Sequence, residues 1–245
     1  MEKEKVRNVH GITTGVVTEN WDADGKHPGM VKVQVFLEEE NKTMTDWMQV
    51  AQPYAGNGHG TYWLPEAGDE VLLAFNAGEA SRYYVIGSLW RKEDKIPLQT
   101  ANKTNAVKRI KTKGGHEIIF EEEKDKERLE IHTPKNLKIT LEDEKQMIVI
   151  QDKDGKNMLQ IDGKNGKIVV AAERSISFNA GRDRASLELD GSGGKAALKA
   201  DIISLKARQR LQINGESETE LTANASLRIQ SCGILDLKGS MIKIN

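Results

Sequence analysis

Five histidines, His10, His27, His59, His116 and His132, are the side chains that could hold a transition metal. Two such ligands reach one ion from one face when they stand at i, i+2 on a strand or i, i+4 on a helix. None of the five is so spaced and none follows His132, so no metal site is assigned. Paired carboxylates could cleave a glycosidic bond, and acidic runs occur at Glu38-Glu39-Glu40 and Glu121-Glu122-Glu123. That chemistry needs one acid in an apolar pocket with a raised pKa, whereas adjacent like charges read as solvated faces. No G-x-S-x-G, P-loop or H-E-x-x-H pattern is present. Cys232 is the only cysteine, which excludes an intrachain disulfide and a cysteine-based zinc site. It reads as a packed side chain. No catalytic residue and no cofactor is assigned.

The elements that would carry any site fall into two regimes that meet near residue 100. All four tryptophans, all four tyrosines and every proline except Pro134 lie before that point. The remainder of the chain is rich in Lys, Glu, Asp, Gly, Ile and Leu, with Phe120 and Phe178 its only aromatics. The shift marks a domain boundary, with Asp94 to Ala106 as the connection. The first part reads as strands at Gly15–Thr18, Val31–Leu37, Trp47–Ala51, Glu70–Phe75 and Tyr83–Gly87. Trp21–Gly25 and Asn76–Glu79 read as turns, and the glycine-dense Gly56–Gly60 as a loop. Five or six short strands in under ~100 residues point to a small closed barrel of the OB type.

The second part repeats apolar pairs at i and i+2. They begin at Leu129/Ile131, Leu137/Ile139/Leu141, Ile148/Ile150, Leu159/Ile161, Ile168/Val170, Ile176/Phe178 and Leu187/Leu189. They run on through Ile203/Leu205, Leu211/Ile213, Leu221/Ala223, Leu227/Ile229, Leu235/Leu237 and Ile242/Ile244. Turn formers such as Asp154-Gly155, Asp162-Gly163, Asn165-Gly166 and Asp190-Gly191 separate them. A strand offering one or two inward side chains, at ~25 cal/mol per Å², cannot offset its backbone ordering entropy alone. Stacked strands make a continuous core, and three chains around one axis enclose a better one than a single chain does. Ile148-Val149-Ile150 and Ile202-Ile203 suit either face, so the register stays open.

With the net charge at −1, the chain offers no electrostatic funnel for nucleic acid or an anionic membrane. The barrel aromatics therefore read as half-buried packing rather than a base-stacking platform. Met1-Glu2-Lys3-Glu4-Lys5 is charged and no apolar segment comes after it, so synthesis in the cytoplasm without a signal peptide is expected.

The block Trp63-Leu64-Pro65-Glu66-Ala67-Gly68-Asp69-Glu70-Val71-Leu72-Leu73-Ala74-Phe75, then Tyr84-Val85-Ile86-Gly87-Ser88-Leu89-Trp90, resembles the OB-fold of contractile-injection spike proteins. These are phage baseplate assembly protein V, VgrG of type VI secretion, and the spikes of R-type bacteriocins and extracellular injection systems. The upstream Trp47–Ala51 segment with the glycine-rich loop to Gly60 is similar too, as is Lys111-Thr112-Lys113-Gly114-Gly115-His116-Glu117-Ile118-Ile119-Phe120. The resemblance covers residues ~10 to ~160, and the tail by rhythm only. It marks Trp47, Pro65, Gly68, Asp69, Glu70, Val71, Phe75, Gly87, Trp90, Gly115, His116 and Glu117 as structural positions.

The resemblance implies an all-β chain: an OB-fold barrel over 1–97, a linker and lead-in to the rod over 98–116, and an intertwined trimeric β-helix over 117–245. It implies a homotrimer in a phage tail or tail-like particle, released extracellularly, that pierces a target cell envelope when a sheath contracts. Few residues precede Gly11, so a separate baseplate hub protein is the expected partner, which favours such particles over type VI secretion. A lysozyme domain, inserted in some relatives, has no room in Asp94 to Ala106. Apical histidine pairs that hold iron in some phage spikes are missing. A PAAR-type tip protein is expected on Met241, Ile242, Ile244 and Asn245. Alternatives are a cell-wall hydrolase acting during penetration, an OB-type nucleic-acid binder, and a receptor-binding fibre. The aromatic-poor rod argues against the fibre.

Overall fold

The computed structural model describes residues 11–38, 41–75, 83–97 and 103–244. His10, Glu39, Glu40, the Asn76–Glu79 turn and Asn245 lie outside the described residues. The chain divides into two units, Met1–Ala172 and Glu173–Asn245.

The first unit begins with β1 (Ile12–Glu19), β2 (Met30–Glu38), β3 (Asn41–Met44), β4 (Met48–Val50), β5 (Ala55–Gly56), β6 (His59–Gly60), β7 (Glu70–Phe75) and β8 (Tyr83–Leu89). Five of these close a ring in the order β1, β2, β4, β8, β7 and back to β1, with β3 added outside β2. Within this sheet only the β4–β8 pairing is parallel. This is the OB order the sequence points to. Alternation in β2 sends Val31, Val33 and Val35 inward, where they meet Val17, Met48, Val71, Leu73 and Val85. Gly15 lets β1 bend so that it pairs with Val35 on one side and Val71 on the other. A Cβ there would stand 2.5 Å from Val33 Cγ1 and 2.9 Å from the Gln34 carbonyl oxygen, so the close approach needs glycine. In β8 the register shifts opposite Leu72/Leu73, which makes Ile86 a bulge and turns it outward.

The glycine-dense segment differs from expectation. Gly56 and Gly60 lie on a two-rung hairpin, β5 with β6, rather than in an unpaired loop. The entropy cost of glycine is accepted because the rungs need its small volume: a Cβ on Gly60 would meet the Tyr54 carbonyl oxygen at 2.5 Å.

Seven strands come next: β9 (Val107–Lys111), β10 (Glu117–Glu121), β11 (Arg128–His132), β12 (Lys138–Glu142), β13 (Met147–Gln151), β14 (Met158–Asp162) and β15 (Lys167–Ala171). They form one antiparallel meander in chain order. Its hairpin turns place Asp125, Asn136, Gln146, Gly155 and Gly166 at positive φ, which these short turns require. The sheet starts at Val107, inside the segment read as the lead-in.

In the second unit β16 (Ser175–Ala180), β17 (Ala185–Asp190) and β18 (Lys195–Ala200) make a smaller meander. Beyond it, residues 201–244 form no strand pairing within the chain. The strand rhythm from Ile203 to Ile244 therefore does not become intrachain structure. Each segment has too little apolar area to order its own backbone, and no neighbour within the chain supplies the rest.

Candidate assembly face

Strand alternation decides what each side of the seven-stranded sheet shows. In register, Ile110, Ile118, Ile131, Ile139, Ile150, Leu159 and Val170 form one row across the strands. Beside it, Phe120, Leu129, Leu141, Ile148, Ile161 and Ile168 form a second on the same face. Val149 points to the opposite face, which fixes the register at Ile148-Val149-Ile150, whereas Ile202-Ile203 lie outside any strand. The apolar face is not covered by the chain itself. Leu73 in the barrel is 0% exposed, whereas Ile139 is 38% and Ile168 69% exposed. A groove of about 810 Å³ runs along it, with Trp63 of the barrel and Ile110, Ile118 and Ile139 among its walls. An apolar surface this continuous marks an interaction site. The smaller sheet repeats the pattern with Ile176 opposite Leu189, and Phe178 opposite Leu187, which in turn faces Leu198.

The opposite face carries most of the sheet's charged side chains, with Ile119 buried among them. Glu117 is only 7% exposed. Its carboxylate accepts from Lys111 Nζ at 2.5 Å and faces Arg109 Nη1 at 3.4 Å and His132 Nε2 at 3.8 Å. Glu130, also buried, faces Lys138 Nζ at 3.3 Å and His132 Nε2 at 3.8 Å. The Lys111 hydrogen bond lowers the Glu117 pKa and burial opposes it; Arg109, Lys111 and His132 then add their charges, holding the carboxyl below its ordinary 4.5. A carboxyl with a depressed folded pKa contributes stability above its unfolded value and loses it as pH falls through the folded one. The first unit should therefore weaken as pH falls from about 4.5 downward, and Glu117→Gln should flatten that dependence. Acid titration of both proteins by circular dichroism measures it; parallel acid curves would remove Glu117 from the account.

The barrel's motif residues make their contacts within the barrel, in and around β7 and β8. Pro65 is buried and its carbonyl accepts from Asn20 Nδ2 at 3.1 Å. Asp69 Oδ2 accepts from the Glu66 N–H at 2.8 Å, and Gly68, at φ +98°, donates to the Val17 carbonyl at 2.8 Å. Glu70 pairs with both Val16 and Leu89, and Val71 is fully buried. The Phe75 ring meets Tyr83 at 4.7 Å. Gly87 pairs with Leu72 beside the bulge, and Trp90 is exposed. Lys113 reaches back to Glu66 at 3.1 Å, tying the first hairpin of the sheet to the barrel. Gly115, at φ +86°, turns that hairpin, and His116 donates its N–H to Thr112 Oγ1 at 3.1 Å. Met241, Ile242 and Ile244 are exposed and unpaired in secondary structure.

Two features escaped the sequence reading. One is the charge cluster around Glu117, whose members are far apart in sequence and meet only through the register. The other is the β1–β2 loop. There the Asp22 carboxylate accepts from the N–H groups of Asp24, Lys26 and His27 and lies 2.9 Å from His27 Nδ1. Burial pushes that carboxyl up, and these hydrogen bonds, His27 foremost, outweigh it and hold it low. His27 stacks on Trp47 at 5.7 Å, and Lys32 Nζ lies 4.8 Å over the same ring. The Asp22-Ala23-Asp24-Gly25 sequence signals the turn but not the aromatic contact behind it.

Among the described residues no three His, Cys, Asp or Glu side chains gather as an ion site, and no helix is long and apolar enough to cross a membrane. What the geometry offers is an unfilled apolar face on a charged, register-locked sheet.

The model of the type VI secretion system/phage-baseplate injector OB domain matches residues 13–90, the span of the closed barrel. Type VI secretion system spike proteins VgrG1c and VgrG1b of Pseudomonas aeruginosa are each 31% identical over 135 residues, or 51% of this chain. Type VI secretion system spike protein VgrG3 of Vibrio cholerae is 26% identical over 117 residues, or 46% of this chain. The matches cover 19%, 18% and 12% of those relatives, so the chain spans less than a fifth of their length. The chain thus carries the injector OB domain at residues 13–90 and is similar, along half of its length, to VgrG-like baseplate spike proteins.

Proposed function

We propose that this chain is the non-catalytic central spike of a contractile injection particle, acting as a homotrimer. The observation that carries this reading is the pair of apolar rows left open along one face of the seven-stranded sheet. Three such faces turned toward a common axis bury one another and leave three charged faces outward. Closed symmetry of this kind satisfies every copy equally and leaves no open edge for further growth. The segment 201–244, apolar at alternate positions and unpaired within the chain, gains strand partners by winding around two other copies. That is the intertwined β-helix the resemblance implies. Dense cross-chain pairing gives the stiffness that driving a rod through an envelope demands.

The barrel's role in this reading is to hold the spike on a baseplate hub protein, and the C-terminal strands receive a PAAR-type tip protein. Removing residues 239–245 should abolish capture of such a tip protein in a pull-down while the trimer mass persists. Capture that survives the deletion would move the tip site elsewhere. Loss of the trimer itself would mean that the end is needed for assembly rather than capping.

A further inference from the structure

The hairpin β5–β6 stands out from the barrel in a way the barrel does not explain. Residues 53–60 are all exposed, and Tyr54 and Tyr62 at its base are 63% and 73% exposed. From Trp47 to Pro65 there is no Asp, Glu, Lys or Arg, in a chain of which 30% of residues are charged. An exposed, aromatic-bearing and uncharged segment has the composition of an interface core, not of a solvated surface. The hairpin is also too small to persist alone. It has two rungs, Ala55 with Gly60 and Gly56 with His59, and an isolated two-stranded ribbon is marginal in water. Its root is built to hold it out: Gln52 Nε2 donates to the Trp63 carbonyl at 3.1 Å, and Gln52 Oε1 accepts from the Trp63 N–H and from Thr61 Oγ1, each at 3.3 Å.

We propose that this hairpin is an arm that docks on a neighbouring copy of the chain at the level where barrel meets sheet. Continuity identifies the occupant. Trp63 leaves the root of the arm and lines the same groove as Ile110 and Ile118, the face that the copies share. A copy that covers the groove at Trp63 therefore reaches the root of the arm. The arm thus adds a second contact between copies, made by the barrels, to the one made by the rods. This inference rests on the trimeric reading and assigns residues to a part of the contact which the apolar rows do not reach.

The test places photo-reactive benzoylphenylalanine at Tyr62 in the full chain, with the same probe at the exposed, charged-loop position Lys124 as control. Light-scattering mass is taken on each sample before illumination. The expected result is a trimer mass with covalent chain-to-chain adducts at least about tenfold more abundant for Tyr62 than for Lys124. A trimer mass with adducts confined to single chains overturns the arm and leaves the trimer standing. Adducts to a co-purifying protein or an added glycan, in place of a second copy, overturn the occupant. A single-chain mass overturns both readings at once. Because Tyr62 is exposed, the probe should leave the thermal transition of the barrel unchanged, which checks that the sample is folded.

Discussion

Ile139→Glu is expected to break the assembly into single chains. Ile139 lies in the middle of the longer apolar row, opposite Ile131 on one neighbouring strand and Ile150 on the other. In one chain it is 38% exposed, so a carboxylate there reaches water and costs the monomer little. In the proposed trimer, three such carboxylates face a common axis in a dry apolar interior. Each isolated buried charge costs several kcal/mol or forces its own protonation, and the three repel one another. The sum exceeds what neighbouring Leu and Ile contacts in those layers return, at about 1.5–3 kcal/mol per buried side chain. Gln160→Glu, on the opposite face, is the control, with an effect within about 0.5 kcal/mol. Size-exclusion chromatography of the two variants separates the outcomes. An Ile139→Glu protein that elutes with the unaltered chain would mean the row is not buried between copies.

Leu73→Ala is expected to damage the barrel and spare the assembly. Leu73 is 0% exposed and sits among Val17, Val33, Val71 and Val85 in the closed ring. Truncation to alanine removes three buried carbon atoms and leaves a cavity that a closed barrel cannot easily collapse, costing about 2–5 kcal/mol. For a domain of this size that lowers the melting transition by about 8–40 °C. The apolar rows contain no residue of that core, so the mass should stay that of the unaltered protein. Differential scanning calorimetry, with light scattering on the same sample, reads both. Loss of the trimer in Leu73→Ala would show that the barrels, rather than the rows, hold the copies together.

The barrel was legible in the sequence because its signals are local. Val31-Lys32-Val33-Gln34-Val35 alternates over a whole strand, and the Pro65 to Trp90 block has fixed turn chemistry at Gly68 and Asp69. The i, i+2 pairs after residue 120 announced strands, and the face each pair shares, equally well as far as Leu187/Leu189. They could not announce antiparallel order, since each pair looks the same whichever neighbour it meets. That order comes from hairpin turns of four to six residues at Asp143–Gln146, Asp152–Asn157 and Gly163–Gly166, which cannot carry a parallel crossover. From Ile203 onward the same rhythm forms no pairs within the chain, which the proposed trimer would supply from the other copies. The Glu117 cluster was hidden for a related reason: Arg109, Lys111, Glu117, Glu130, His132 and Lys138 converge only once four strands are in register.

In the proposed reading one chain is structurally incomplete and three make the spike. The measurement that tests it most directly is the solution mass of the purified chain by multi-angle light scattering. One chain weighs 27.3 kDa, so three weigh 3 × 27.3 = 81.9 kDa. A single species at that mass, persisting in SDS without heating, is the predicted result. A folded species at 27.3 kDa, stable and unaggregated with its apolar face in water, would contradict the account.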